Sequence, residues 1–340
     1  MIKTDYVALR KQLASAGMLK SSNAVGIGAF LVETLLLVGG FALLTHLEPW
    51  SFAFVGVQIL LGTSVFRVFV LMHDCGHYSL FGRRSLNGWF GSLASIVTLT
   101  PFVAWRDIHF EHHRWVGVID KDPTSAGLID FERSQQHSRW MVALLRFIWL
   151  FRIPLPSILF TVQVMWGYPI RLLKEGRARR SVAALFSMLI ALGPHVALVG
   201  YAGAAFYLNY VLPTLFFSFL WYELINLTHH AGLYTLHSES HPESVPLHEQ
   251  ATFCRSAQMP AWGSLLLCYH FNLHTEHHLY PTVPFHHLPR VRSMLKAYPL
   301  PEYNGVSFPH FNQALRQADP VAVLLNNMPA HLNQQQYPLK

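Results

Sequence analysis

Histidine is gathered into four short groups in this chain of 340 residues. The groups read HDCGH at 73–77, HFEHH at 109–113, NLTHH at 226–230 and HTEHH at 274–278. Because positions i, i+3 and i+4 share one face of a helix, the imidazoles within an HxxxH or HxxHH group should point the same way. Converging imidazole nitrogens suit zinc, copper, nickel or iron. The sequence therefore predicts a metal centre whose ligands come from distant parts of the chain.

Three of the groups supply the candidate ligands. These are His73, His77, His109, His112, His113, His274, His277 and His278. Eight imidazoles exceed the four ligands of a structural zinc ion and match two metal ions that each take four to five nitrogens. The HExxH pattern of zinc peptidases and the Glu and ExxH pattern of four-helix-bundle di-iron proteins are both absent from the sequence, and the three cysteines show no CxxC spacing. A nitrogen-rich site for two iron ions is the best candidate that remains.

Each of these groups also contains an acidic residue: Asp74, Glu111 or Glu276. A carboxylate that accepts a hydrogen bond from the far ring nitrogen of a ligand fixes its tautomer and raises its basicity. The three acids are candidates for that role. The alternative is that they are ordinary solvated acids on outward helix faces.

The elements that must position these residues are membrane helices. The chain is 52% hydrophobic and only 13% charged, whereas a soluble domain is about 25% charged. A membrane-spanning helix needs about 20 apolar residues. Four stretches qualify: 24–45, 51–72, 182–201 and 204–225. The sequence predicts an all-α integral membrane protein with four transmembrane helices and a cytoplasmic helical cap that carries the histidine-rich di-metal site.

Two further apolar stretches, 86–105 and 140–170, are diluted by polar residues, arginine or proline. We expect them to lie in the membrane interface or against the bundle. The alternative, that one of them spans, would separate the histidine groups across the membrane. The predicted divisions are an amphipathic cytoplasmic segment at 1–23, a membrane domain at 24–295, and a cytoplasmic tail at 296–340 packed on the cap.

The basic residues indicate the orientation. Of 25 Lys and Arg residues, four lie in 1–23, fourteen in 73–180 and six in 226–340, and the short connections after the first and third spans contain none. By the positive-inside rule, both termini, the middle segment and every histidine group are cytoplasmic. The net charge of +7 thus reflects topology and contact with membrane lipid, so nucleic acid is not expected as a partner.

The segments HDCGH, PFVAWRDIHFEHH and NLHTEHHLYPTVPFHHLP resemble the three histidine boxes of integral-membrane fatty acid desaturases. The resemblance covers roughly residues 25–295. It implies a non-haem enzyme with two iron ions that uses O2 and two electrons to oxidise an unactivated C–H bond. Family members have a further Asn and His near the end of the fourth span, which correspond here to Asn226 and His230. His229 competes with His230 for that role, and the Asn is expected to act through a bound water.

The resemblance implies a double bond introduced into a fatty acyl chain that is lipid-, carrier- or CoA-linked. The HxxxH spacing of the first box is that of acyl-lipid and bacterial-type members. Hydroxylation or ketolation, for example of carotenoids, and triple-bond formation are the alternatives at the same site. The chain has no His-Pro-Gly-Gly haem motif. A separate donor, such as a ferredoxin, a rubredoxin or a small cytochrome, is therefore expected, and Arg177, Arg179 and Arg180 are candidates for docking it.

An acyl chain requires an apolar tunnel between the spans. Candidate wall residues in the second and fourth spans are Gly62, Thr63, Phe66, Phe217 and Trp221. Ordinary helix packing is the alternative for each. A metal transporter is the rival of another class, but it should place paired ionisable residues near the membrane midplane. The spans hold Glu33, Arg67, His195 and Glu223, and the sequence suggests no pairing among them.

Overall fold

The computed structural model describes residues 1–125, 139–151 and 153–324. The helices are α1 (Lys3–Ser15), α2 (Asn23–Leu44), α3 (Phe52–Gly76), α4 (Arg84–Thr98), α5 (Phe102–Trp115), α6 (Arg139–Leu150), α7 (Leu155–Phe160), α8 (Tyr168–Lys174), α9 (Ala178–Ala202), α10 (Ala204–His230), α11 (Ala261–Cys268), α12 (His274–Leu279), α13 (Leu288–Leu295), α14 (Phe308–Gln317) and α15 (Pro320–Leu324). A π-helical segment, Thr161–Trp166, continues α7, and another, Tyr207–Val211, lies within α10. Short 3-10 helices form at Leu247–Phe253 and Phe285–His287. Two short strands, β1 (Arg255–Gln258) and β2 (Asn304–Ser307), pair in parallel.

Four of the described helices, α2, α3, α9 and α10, are long and apolar enough to cross a membrane. Serine side chains cap the first two, because the hydroxyl of Ser22 accepts from the amide of Val25 and that of Ser51 from Phe54. The prediction of an all-α membrane protein is confirmed, and these four helices correspond to the four predicted spans. Two bent helix pairs would raise the number of spans to six if each pair were one span.

The predicted bounds of the spans were too short at the ends that matter for chemistry. Helix α3 continues past residue 72 to Gly76, and α10 continues past residue 225 to His230. The first histidine group and the NLTHH group are therefore placed by the last turns of spanning helices.

The apolar stretch 86–105 is divided between two helices. Helices α4 and α5 meet at an angle of 103° because Leu99 adopts a left-handed conformation, with φ of 51°, and Pro101 follows two residues later. Helix α4 packs along α3 and α9, while α5 leads away carrying the second histidine group. The second bent pair, Val142–Leu150 with Leu155–Trp166, turns through 116° within the stretch 140–170.

Helix α3 is the central helix, since most of its residues are buried, whereas only a small share of α2, α9 and α10 is buried. Its contact with α10 is close. A Cβ atom added to Gly62 would lie 2.4 Å from Cβ of Phe217 and 3.0 Å from the carbonyl oxygen of Thr214. Only glycine allows this approach, which is the small-residue packing typical of membrane helices.

The expectation that the ionisable residues of the spans do not pair was wrong. Glu33 of α2 forms an ion pair with Arg67 of α3. His195 is hydrogen-bonded through both ring nitrogens, to the hydroxyl of Tyr207 (2.9 Å) and the carbonyl of Ile96 (2.6 Å). The sequence could not reveal these pairings because the partners are distant in the chain.

The amino-terminal helix packs against the segments around and after the third histidine box to form a cap. Leu9 and Leu13 of α1 share an apolar cluster with Leu279, Tyr280 and residues of α13. The amino-terminal ammonium group lies 2.9 Å from the carboxylate of Glu302. In the predicted tail at 296–340, β2, α14 and α15 lie within the described residues, and residues 325–340 lie outside them.

Candidate metal centre

Nine histidines form two adjacent groups of converging ring nitrogens. The first group is His73, His77, His109, His113 and His277, and the second is His112, His230, His274 and His278. Within each group, one ring nitrogen from every residue lies within 4.8 Å of all the others. All nine are buried except His109, which is partly buried.

The helix geometry explains the HxxHH pattern. Helix α5 directs His109 and His113, at positions i and i+4, into the first group. His112 points about 100° away from its neighbour His113 around the helix axis and so enters the second group. Helix α12 does the reverse, because His274 and His278 enter the second group and His277 enters the first. Each HxxHH motif therefore contributes to both groups.

Hydrogen bonds to the Nδ1 atoms fix the orientation of four rings. The acceptors are Asp74 for His73 (3.2 Å), Asp122 for His112 (2.7 Å), the carbonyl of Phe253 for His230 (3.1 Å) and the side-chain oxygen of Gln250 for His278 (3.0 Å). Carboxylate and carbonyl oxygens only accept, so each Nδ1 must carry the proton. The lone pair of each Nε2 atom is thereby left free.

The Nε2 atoms face one another at short range. His113 lies 3.1 Å from His109 and 3.0 Å from His277, and His274 lies 2.8 Å from His230 and 3.0 Å from His278. The free Nε2 lone pairs of His230 and His278 both point toward Nε2 of His274, which is how nitrogen ligands converge on a metal ion. The buried Nε2 of His73 has no hydrogen-bond partner among the described residues. The donor set thus fits two metal ions held by nitrogen.

Burial keeps these imidazoles in the form that binds metal. The pKa values of His274, His277 and His278 are held well below the ordinary value of 6.5, mainly because burial disfavours the charged ring and then because neighbouring histidines repel a second charge. Neutral imidazole is the metal-binding form, so the site needs no deprotonation step at neutral pH.

Comparison with known proteins identifies the family. The family model described as "Fatty acid desaturase" matches residues 48–311, which include both histidine groups. The chain belongs to the fatty acid desaturase family. The resemblance inferred from the histidine boxes is therefore confirmed, and the protein is an oxidoreductase.

Curated desaturases from several organisms are similar to this chain. An "sn-1 acyl-lipid omega-3 desaturase (ferredoxin)" of Synechocystis sp. is 28% identical over 288 residues, covering 79% of this chain and 74% of the relative. An "sn-1 oleoyl-lipid 12-desaturase" of Picosynechococcus sp. is 27% identical over 277 residues, covering 78% and 75%. An "acyl-lipid omega-3 desaturase (cytochrome b5), endoplasmic reticulum" of Arabidopsis thaliana is 25% identical over 248 residues, covering 67% and 59%.

The end of α10 brings His230, and not His229, into the desaturase histidine groups. The ring of His229 is stacked on that of His274, with centroids 3.7 Å apart, and neither of its nitrogens has a hydrogen-bond partner among the described residues. Asn226, one turn before His230, lines the cavity beside the second group.

Of the three acidic residues in the histidine groups, Asp74 lies within hydrogen-bond distance of a ring nitrogen of a candidate ligand, whereas the other two have different partners among the described residues. Glu111 lies on the outer face of α5, where both of its oxygens accept from Arg171 at 2.9 and 3.0 Å. Glu276 is buried, but it accepts hydrogen bonds from Ser256 (2.5 Å) and Tyr303 (2.9 Å). Their places in the helix turn both carboxylates away from the ring nitrogens.

The residues that do orient ligand rings include three that the sequence did not indicate. Asp122 follows α5 in a loop, and Gln250 and Phe253 lie in the 3-10 segment Leu247–Phe253. The side-chain amide nitrogen of Gln250 also donates to the backbone carbonyl of His113 (2.6 Å). This bond fixes the direction of the Gln250 side-chain oxygen. None of these residues belongs to a histidine motif, so local spacing gave no signal for them.

Two cavities adjoin the desaturase metal centre. The first is lined by Phe69, His73, Trp105, Ile108, His109, His112, Thr124, Phe160, Met165, Tyr222, Asn226, His230, Phe271 and His274. The second is lined by Phe66, Phe69, Thr98, Thr100, Thr161, Met165, Ser218, Phe219 and Tyr222. Phe69, Met165 and Tyr222 line both, so the second cavity continues the first away from the histidines.

Of the five predicted tunnel residues, all of which the structure describes, only Phe66 lines either of these cavities. Gly62 and Phe217 are in contact across the α3–α10 interface. The indole nitrogen of Trp221 donates to the hydroxyl of Thr63 at 2.9 Å. These four residues join the two helices. This is the ordinary helix packing that was the alternative for each of them.

Proposed function

We propose that this desaturase uses two iron ions and O2 to introduce a double bond into an acyl chain carried by a membrane lipid. The ligands of one ion are His73, His77, His109, His113 and His277, and those of the other are His112, His230, His274 and His278, with Asn226 acting through water. The observation that carries the proposal is the contact between these two buried all-nitrogen groups and an apolar cavity.

The bound iron pair would supply the activation of O2 that removal of hydrogens from adjacent methylenes requires. The chain's own residues provide the surroundings for that chemistry. Trp105 and Phe271 pack against the ring of His73, and Phe69 packs against Trp105. These apolar rings would exclude water from the site. Trp105 also stacks on His109, with centroids 4.7 Å apart, and holds that partly buried ring in place.

The shape and polarity of the two cavities support a hydrocarbon substrate. The hydroxyls of Thr98, Thr100 and Thr161 bond to backbone carbonyls, at 3.1, 3.2 and 2.9 Å, within their own segments. With these donors satisfied, the three threonines make no demand for a polar ligand. A methyl-terminal acyl segment fits this character. The acyl-lipid relatives and the HxxxH spacing of the first box support a lipid-linked chain.

We also propose that a separate protein delivers the electrons one at a time. Relatives are named for ferredoxin or cytochrome b5 as donor. The candidate docking surface near α8 and α9 is partly neutralised, because Arg180 pairs with Asp107 and Arg177 with Glu175 (3.3 Å). Arg179 is exposed.

The donor surface is tested by charge reversal. Since Arg180 also anchors Asp107, the useful variant is Arg177→Glu with Arg179→Glu. We expect slower reduction by an acidic donor, an unchanged iron content and a stronger effect at low salt. Lys3→Glu with Lys11→Glu on α1 reverses the same number of charges and serves as the control. Equal reduction rates for the two double variants would remove this surface from the proposal.

The function is tested by lipid and pigment analysis of a host that expresses the chain. The expected result is new double bonds in acyl chains, lost in His277→Ala and retained in His287→Ala, which replaces a histidine outside both groups. Purified protein should contain about two iron ions per chain. New oxygenated pigments without new acyl double bonds would favour the hydroxylase or ketolase alternative and overturn desaturation.

A further inference from the structure

An ion pair lies between the first two spanning helices. Glu33 of α2 is 1% exposed and is paired with Arg67 of α3. The carboxylate also accepts hydrogen bonds from the hydroxyls of Ser64 (2.5 Å) and Tyr269 (2.6 Å). A charge inside a membrane span is costly and is retained where its partners have a role. Three donors to one buried carboxylate indicate a specific polar contact between the two helices.

The same arrangement reaches the segment that leads to the third histidine box. The guanidinium group of Arg67 donates to the carbonyl of Leu266 (3.1 Å) and to the hydroxyl of Tyr269 (3.0 Å). Its central carbon lies 4.7 Å from the centre of the Tyr269 ring. Arg67 therefore joins α3 both to the end of α11 and to the turn that follows it.

That turn has a backbone conformation that needs support. Tyr269 and His270 are consecutive and have φ values of 46° and 62°, which side chains with a Cβ atom rarely adopt. The amide of His270 donates to the carbonyl of Ser264 (2.7 Å), and α12 begins four residues later with His274. A turn of this kind persists only where its surroundings hold it.

We propose that Glu33, Arg67 and Tyr269 are positioning residues for the metal centre. Arg67 lies six residues before His73 on α3, about 9 Å along the helix. The ion pair fixes the turn at Tyr269 to that helix, and the turn places α12. His277 is thereby held against His73 and His77, which belong to the same nitrogen group. This inference rests on the proposed function insofar as the group binds metal.

The test uses variants that keep the chain foldable. Tyr269→Phe removes the hydroxyl and keeps the ring. The double variant Glu33→Gln with Arg67→Met removes both charges, so that neither is left buried alone. After removal of metal by chelation, iron(II) or cobalt(II) binding to the purified full chain in detergent is titrated, and the bound metal is measured by elemental analysis and visible absorption. We expect metal affinity to weaken about 10-fold to 100-fold, with a changed ligand-field spectrum.

Gln58→Leu is the matched control. Gln58 is a buried polar residue of the same helix, and its amide donates to the carbonyls of Asn209 (3.3 Å) and Tyr210 (3.1 Å) at the end of α3 remote from the histidines. This variant should lower the melting temperature while the folded fraction keeps the wild-type metal affinity and spectrum. An equal loss of metal affinity in Gln58→Leu would show that the weaker binding comes from a general loss of stability, and it would overturn the inference.

The remaining outcomes separate this inference from the proposed function. Wild-type metal affinity and an unchanged spectrum in both Tyr269→Phe and the double variant would overturn the positioning role while leaving desaturation intact. Weakened binding in both variants, with no acyl desaturation by the metal-loaded wild type, would support the positioning role and overturn the proposed function.

Discussion

His112 owes its orientation to a carboxylate ten residues away in the chain. The Oδ2 atom of the fully buried Asp122 lies 2.7 Å from its Nδ1 atom. The other carboxylate oxygen accepts from the amide (2.8 Å) and the hydroxyl (2.7 Å) of Thr124. The carboxylate is thus held on both sides. It can keep the proton on Nδ1 of His112 and leave Nε2 free for a metal ion.

Replacing that carboxylate should weaken metal binding without removing a ligand. Asp122→Asn has nearly the same shape but no charge, so the basicity of His112 falls. We expect metal affinity to drop about 10-fold to 100-fold, measured by titration of the metal-free protein. Glu111→Gln is the control, since Glu111 lies on the outer face of α5, the helix that carries His112, and pairs with Arg171. Equal affinities for the two variants would show that Asp122 does not act on the ligand.

Adjacent histidines at the end of α10 should differ in their effect on metal content. His230→Ala removes a converging nitrogen from the second group, so the protein should lose about one of its two metal ions. His229→Phe keeps a flat ring to stack on His274 and should keep both ions. Elemental analysis of the two purified variants distinguishes them. The reverse result would make His229 the ligand.

Predictability at the residue scale depends on whether a signal is local. The eight histidines of the three boxes could be recognised because HxxxH and HxxHH are local patterns, although each HxxHH motif divides its side chains between the two groups instead of pointing them all the same way. Asp122 and Gln250 could not be recognised, because they meet His112 and His278 only after the chain folds back. Glu111 and Glu276 show that closeness in sequence does not ensure contact with a ligand ring, because helix rotation turns both carboxylates away.

At the scale of elements, the π-helical segment Thr161–Trp166 forms a wall of both cavities. Such segments are rare and often occur at functional sites, because the wider turn changes the direction of side chains. Met165 is buried and lines both cavities, whereas Val162 of the same segment is 55% exposed on the outer face. The segment thus separates a cavity-facing side from an exposed side.

Filling the passage at Met165 should change which acyl chains are accepted. In Met165→Trp the larger ring narrows the connection between the cavities. Long chains should then be misplaced at the metal centre, with turnover about 100-fold lower, and shorter chains should be favoured. The chain-length profile of the unsaturated products, measured by gas chromatography, checks this. Val162→Trp adds the same ring on the outer face, and identical profiles for the two variants would contradict the assignment of the passage.

The sequence predicted long elements better than short ones. Continuous apolar runs identified α2, α3, α9 and α10, because spanning a membrane requires a length that few other segments have. The break between α4 and α5 was missed, since Leu99 adopts a left-handed conformation that its residue type does not suggest. The parallel pairing of β1 with β2 was missed as well, because each strand has only four residues and the two are far apart in sequence.

At the scale of the whole molecule, the metal centre lies where spanning helices meet the cap. Helices α3 and α10 each end at a histidine of the centre, and α5 and α12 bring the remaining histidines from outside the four spans. A single centre built in this way requires the ends of α3 and α10 to reach the same side of the membrane as the cap. The turns after α2 and α9 must then face the opposite side.

Cysteine labelling tests on which side of the membrane each segment lies. The three native cysteines are buried, so their background reaction should be small. The variants Glu48→Cys and Tyr201→Cys place a thiol at exposed positions next to the two short turns, and Lys174→Cys and Glu243→Cys place one at exposed positions on the side of the metal centre. With the positive-inside orientation, a membrane-impermeant maleimide added to intact cells should label the first pair. The second pair should react only after permeabilisation. If Lys174→Cys and Glu243→Cys reacted from opposite sides, an additional span would separate the segments that the centre requires to be together. Labelling of all four thiols in intact cells that exclude a control dye would likewise contradict the orientation.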